Sequence, residues 1–375
     1  MLAGVVYIFL HKYYIHSGDI FQYFVDGNLI YQELFSHPQN YFRLVFGPNN
    51  AFFTENIKSA VDEMGFWWDT GAYTIVRFNA IVRLFSMGNI YIHGLFAGFV
   101  SFVGCFLLAK VYERKLAAGF IALSSIFIFP SLLFWTSGMH KEFVSAFSLG
   151  LVFYSMTKVV EHYRQVKYFL LSLVGLSFLF FARDYMMMLL IVPLTIYIVL
   201  ERKKFSPIVI YSTIMTLVVL LACFLPLPFF GDTAIAVILE KRHQFESLGV
   251  GNTSIELYSV NGTLFAFLSA FPQSIFNVLF RPHFGDANTT ILFLTAIDTF
   301  LISGVILGGL FYFIRKKVYH HNFTVFIFTY SLSLLVVIGL IVPNLGAIVR
   351  YRSTALLLLI PLCVHLVMKN FKKLE

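Results

Sequence analysis

Long apolar runs, each ended by a short polar or basic turn, set the period of this chain. Runs such as 208–230 and 291–314 are long enough for helices that cross a bilayer, which needs about 20 mostly apolar residues per span. The ten-residue alternation of a membrane barrel is absent, so the pattern predicts an all-α polytopic membrane protein. Working outward from the basic turns predicts about ten spans: 1–14, 90–109, 117–134, 142–158, 168–182, 185–200, 207–229, 290–314, 322–342 and 353–369. Two connecting segments, 15–89 and 230–289, are much longer than the others and are expected to be extracytoplasmic. Each holds an apolar stretch unsuited to spanning. Residues 72–86 carry Arg77, Asn79 and Arg83, and residues 263–280 are interrupted by Pro272 and Gln273. Both read as interfacial or re-entrant helices, with Trp67 and Trp68 at headgroup level before the first. No repeat or flexible linker divides the chain, so a single transmembrane domain over 1–375 is expected.

Composition strengthens this reading. Hydrophobic residues make up 59% of the chain and charged residues only 12%, with a mean hydropathy of +0.81. Soluble domains are about 45–50% apolar. The net charge of +8 does not point to nucleic acid, because the basic residues cluster at the ends of apolar runs. The clusters are Lys110/Arg114/Lys115, Lys158/Arg164/Lys167, Arg202/Lys203/Lys204, Arg315/Lys316/Lys317 and Lys369/Lys372/Lys373. Positive residues favour cytoplasmic loops, which predicts a multi-pass protein of the plasma (inner) membrane with both termini cytoplasmic. The first run is expected to be an uncleaved anchor, since no small-residue cleavage site follows it. Cys105, Cys223 and Cys363 lie within apolar runs, where packing is their expected role.

Charges beside hydrocarbon mark candidate chemistry, because an ionisable group at mid-membrane costs roughly 2.5–3.5 kcal/mol on insertion scales. The first outer segment opens Ser17-Gly18-Asp19 and continues to Asp26, a seven-residue spacing that puts both acids on one helical face near Gln22 and Tyr23. These acids either take a proton from an acceptor or hold a divalent cation, or they are caps and solvated groups. The break from Phe134 to Glu142 contains His140, Lys141 and Glu142; Lys141 suits a phosphate, or simply snorkels at a helix entrance. Arg350, Tyr351 and Arg352 fall between the last two expected spans on the outer side, against the orientation rule, and suit a phosphate or anionic headgroups. Arg281 has no adjacent acid in sequence, whereas Arg183 and Asp184 can neutralise each other. Asp298 lies about 12 Å inside its helix and needs a partner. No His-x-x-x-His or Cys-x-x-Cys spacing occurs, and the Asn-x-Ser/Thr matches at Asn252, Asn261, Asn288 and Asn322 are short patterns.

The acid-bearing first loop from Gly18-Asp19 to Asp26, Trp135 to Gly138 followed by Lys141-Glu142, Phe280-Arg281-Pro282, and Arg350-Tyr351-Arg352 together resemble the type C glycosyltransferase superfamily and the O-antigen polymerases and ligases. The resemblance implies transfer of a sugar from a polyprenyl phosphate or pyrophosphate to a glycan or lipid acceptor, on the outer face and in cell-envelope polysaccharide synthesis. It implies Asp19 as general base and Asp26 as second carboxylate. Lys141, Arg281, Arg350 and Arg352 would bind the donor phosphate, supported by His140, Glu142, Arg183, Asp184 and Tyr351. The family's paired Asp-x-Asp or Glu-x-Asp motif is missing here, so a divalent cation is an open matter and the arginine-centred polymerase or ligase is the close alternative. A transporter or flippase is the further alternative; it predicts broken helices in related halves, and the sequence shows no such repeat.

Overall fold

The computed structural model describes residues 1–16, 18–49, 57–162, 165–203, 205–227, 231–247, 253–260 and 262–371. Ser17, Arg164, Lys204, Lys372, Lys373, Asn252 and Asn261, singled out above, lie outside the described residues. Among the described residues the structure is helical, with a single isolated bridge between Ser254 and Asn344. Among the described residues six helices are long and apolar enough to cross a membrane. The chain is an all-α membrane protein.

It divides into two compact units, Met1–Val111 with Leu133–Met187, and Tyr112–Leu132 with Met188–Glu375. The first unit opens with α1 (Leu2–Leu10), continued by a wider turn over His11–Ile15, then α2 (Ile20–Ser36), α3 (Pro38–Phe46), α4 (Lys58–Asp62) and α5 (Thr70–Ser86). α6 (Ile90–Leu116) leads out of it. α7 (Gly119–Ile128) and α8 (Pro130–Ser137) meet at an 89° bend, so the run expected as one straight span over 117–134 is broken. Pro130 explains the break: it has no N–H to donate and restricts the residue before it. α9 (Lys141–Glu161) and α10 (Val166–Ala182) form a hairpin, and α11 (Asp184–Leu200) leads into the second unit. There follow α12 (Pro207–Phe224), α13 (Ala234–Ser247), α14 (Leu264–Ser269), α15 (Phe271–Phe280), α16 (Thr290–Arg315), α17 (Asn322–Ile341) and α18 (Leu345–Phe371).

Several sequence expectations shift. The apolar stretches over 2–15, 166–182 and 184–200 form helices shorter than the spanning set. The interrupted stretch forms two helices, α14 and α15, separated by Ala270 just ahead of Pro272. The largest correction concerns α18, which starts at Leu345 and not at 353, so Arg350 and Arg352 stand inside a helix and not in a loop. Trp67 is buried, with its ring edge-on to Tyr73, and only Trp68 is exposed. All three cysteines are buried and unbridged.

Glycines set the closest helix contacts. A Cβ on Gly150 of α9 would collide with the Gly104 backbone of α6, and one on Gly104 would collide with Ala146 and Phe147 of α9. Gly4 of α1 and Gly94 of α6 face each other in the same way. Small residues allow this approach where lipid supplies no hydrophobic drive between helices. Gly150→Val is expected to destabilise the protein by about 1–3 kcal/mol, as overpacking does elsewhere. Thermal unfolding in detergent reads this against Gly304→Ala, a site with nothing within 4 Å of an added Cβ.

Candidate functional site

Three stretches of the first unit converge on the head of α9. Lys141 is its first residue and Glu142 its second, following His140 in extended conformation. The Lys141 ammonium reaches both oxygens of Asp69, at 3.0 and 3.1 Å. Asp69 is the N-cap of α5 and accepts from the Ala72 N–H at 2.9 Å, so one carboxylate ties the heads of two helices. Glu142 is fully buried and pairs with Arg183 at the α10–α11 corner, where Arg183 also donates to the Tyr185 hydroxyl at 3.1 Å. Thr74 of α5 donates to the Phe181 carbonyl at the same corner. Gly71 has to be small, because a Cβ there would lie 2.7 Å from the Ala182 carbonyl and 2.8 Å from the Lys141 nitrogen. The Arg183 and Asp184 charges do not pair with each other as expected: Glu142 takes Arg183, and Asp184 accepts from the Tyr185 N–H.

The first acidic segment approaches this head through aromatic contacts. Tyr7 of α1 lies 4.6 Å from Phe134 and 5.7 Å from His140, and Tyr23 of α2 lies 5.9 Å from His140, all between ring centroids. His11 stacks on Tyr7, and its ring is 6.3 Å from that of His140. Gly18 sits against the His11 ring, with Asp19 next in sequence. Asp19 is exposed at the head of α2 and its side chain makes no cap hydrogen bond.

Asp26, expected as the second carboxylate beside Asp19, is held within the fold. It is fully buried, and it accepts from Gln22 Nε2 at 2.6 Å, from the Gly65 N–H at 3.3 Å and from the Phe66 N–H at 3.0 Å. Both oxygens are engaged in holding the 65–66 loop on α2. With these bonds a fully buried carboxylate has partners of the kind that buried polar groups require.

The remaining candidates belong to the second unit. Arg281 is paired in bidentate fashion with Asp286, at 3.0 and 2.5 Å, five residues along a turn that starts with a cis Arg281–Pro282 peptide. Arg352 is buried and donates to the Val278 and Arg281 carbonyls, each at 2.8 Å, and to the Thr299 hydroxyl at 2.7 Å. It therefore closes the C-terminal end of α15, where carbonyls lack intrahelical donors and the helix dipole favours a cation. Asp298 is the nearby buried carboxylate, set beside Ser131 at the head of α8 and attracted by Arg352. Arg350 stacks on Tyr351 and donates to its hydroxyl. Arg352 is thus placed to build the fold around the Arg281 turn. Among the described residues no three His, Cys, Asp or Glu side chains group as metal ligands do.

Asp69 escaped sequence reasoning because no motif marks it, although Asp69-Thr70 ahead of an apolar helix is an ordinary N-cap signal. Its electrostatics are opposed. Burial alone would raise its carboxyl pKa, but the Lys141 ammonium and the Ala72 and Gly71 N–H groups outweigh this and hold it below the ordinary value of about 3.9. A depressed carboxyl stabilises the fold fully above its unfolded pKa and loses that contribution as pH falls through the lower folded value. Wild-type stability is therefore expected to fall more steeply than that of Asp69→Asn between pH 5 and the acid end, as read from unfolding midpoints in detergent.

No family model matches the chain, and neither the curated proteins nor the solved structures contain a match to it.

Proposed function

We propose that this protein is an integral-membrane glycosyltransferase that moves a sugar from a polyprenyl-phosphate-linked donor to a glycan or lipid acceptor. The observation that supports this reading is that Gly18, the neighbour of the exposed Asp19, packs on the His11 ring, which lies 6.3 Å from His140 beside the paired charges at the head of α9. Transfer from a lipid phosphate is helped by a proton acceptor for the attacking hydroxyl and a cation for the departing phosphate. Asp19 is the proton acceptor and Lys141 the cation in this proposal, with Glu142 and Arg183 fixing the position of the α9 head. Asp69 holds Lys141 until the donor phosphate competes for it. In the accompanying topology the ten-span pattern, with α1, α10, α11 and the bent α7–α8 pair counted as spans, leaves this head on the extracytoplasmic side and both termini in the cytoplasm. The arginine-centred polymerase or ligase has less support, since Arg281 and Arg352 are engaged by Asp286 and by α15.

Asp19→Asn is expected to reduce transfer by about 100-fold or more at normal protein level, the scale of a lost general base. A reconstituted assay with lipid-linked donor reads this directly. Undiminished transfer in Asp19→Asn would overturn the base assignment. Mass spectrometry of lipid-linked glycans in a strain lacking the protein is expected to show a glycan short by one sugar, and an unchanged pool would remove the enzymatic reading.

A further inference from the structure

The turn between α5 and α6 holds a cation for which the described residues provide no counter-charge. Arg83 lies in the last turn of α5, with its guanidinium 5.1 Å from the Phe24 ring centroid and 5.9 Å from that of Tyr31, both on α2. Its other side rests on Gly88. A Cβ at Gly88 would stand 2.7 Å from Arg83 Nη1, and the residue's φ of +81° itself favours glycine. Nη1 is buried and has no acceptor, and among the described residues Arg83 forms no salt bridge. A charged donor left without an acceptor is costly, and an incoming oxygen would relieve that cost.

The turn is rigid for a reason legible in its hydrogen bonds. Ser86 Oγ and His93 Nε2 are 2.8 Å apart, and His93 Nδ1 and Asn79 Oδ1 are 2.7 Å apart. Asn79 Nδ2 donates to the Ile75 carbonyl, and the Gly88 N–H donates to Ser86 Oγ. With a neutral His93 carrying its proton on Nδ1, every group in this buried chain has a partner of the right kind. The chain locks the turn that holds Gly88 against Arg83, so the half-buried guanidinium is in place before any ligand arrives.

The surroundings identify the ligand. Leu84, Phe85 and Met87 are exposed on this turn, and Met87 is fully so. Lys12, exposed and likewise without a salt bridge among the described residues, lies over the Tyr13 and Tyr91 rings, and Tyr13 and Tyr14 are exposed beside it. Two unneutralised cations among apolar and tyrosine side chains fit the phosphate level of a bilayer, with the apolar residues among the acyl chains. Arg is the better phosphate ligand of the two because its planar fork donates in parallel.

We infer that Arg83, cradled by Phe24 and Gly88, binds the phosphodiester of an anionic membrane lipid, with Lys12 contributing charge. This site is independent of the sugar-transfer reading. The test places the full chain in nanodiscs of equal phosphatidylglycerol and phosphatidylcholine and measures retained lipid by native mass spectrometry. Wild-type protein is expected to retain phosphatidylglycerol, and Arg83→Gln to retain it roughly tenfold less, the scale of one charge-assisted hydrogen bond. Equal retention by wild type and Arg83→Gln would overturn the proposal. Displacement of the lipid by inorganic phosphate alone would overturn the lipid as ligand and leave a free-phosphate site. Should Arg83→Gln not fold, Arg83→Lys decides: it keeps the charge and loses the fork, so lower retention supports the site and unchanged retention contradicts it.

Discussion

A peptide group uncovered by a break in a helix must find a partner when no water is at hand, and the arrangement of this protein follows from that demand. The apolar runs that make it a membrane protein are interrupted at Pro130, at Ala270 and past Phe280. Each interruption leaves N–H or C=O groups that hydrocarbon cannot satisfy. Several ionisable residues meet uncovered peptide groups of this kind. Arg352 closes the carbonyl end of α15, Asp69 caps the amide end of α5, and Asp26 accepts the N–H groups of the 65–66 loop. In this setting scarce charge is structural first, and chemistry is open to the charges left over.

That ordering sorts the candidate residues. Asp26 and Arg352 are buried and engaged on all but an edge, so their contribution is to hold segments in place. Lys141 is partly exposed and its partner Asp69 more so, which leaves a salt bridge that an anionic ligand can open. Pairs of this exposure contribute little to stability by themselves, about 0–1 kcal/mol. The Glu142–Arg183 pair is different. Removing one partner of a buried pair commonly costs about 3–5 kcal/mol, so this pair fixes the helix head on which Lys141 rides.

The membrane class was legible from the length of the apolar runs, as in 291–314, which emerges as α16. The start of α18 was not. Arg350 and Arg352 read as loop residues under the rule that disfavours charge in a span, and the acceptors that permit Arg352 inside the helix come from residues 71 to 74 positions away. The spacing of Asp19 and Asp26 correctly placed Asp26 beside Gln22 on one helix, but the loop that buries it lies 39 to 40 residues on. Pairings of that range leave no local pattern. His93 offered a partial signal, as a polar residue inside an apolar run, yet its partners Ser86 and Asn79 are visible only once α5 folds back along α6.

Hydrogen exchange across residues 271–286 tests the claim that buried charge closes the broken helices. Two carbonyls and a hydroxyl lose their donor in Arg352→Met, and each unsatisfied group costs about 1–3 kcal/mol. Amide exchange in this segment is expected to accelerate by about tenfold or more in the variant, while exchange at the head of α9 stays as in the wild type. Unchanged protection of 271–286 in Arg352→Met would contradict it.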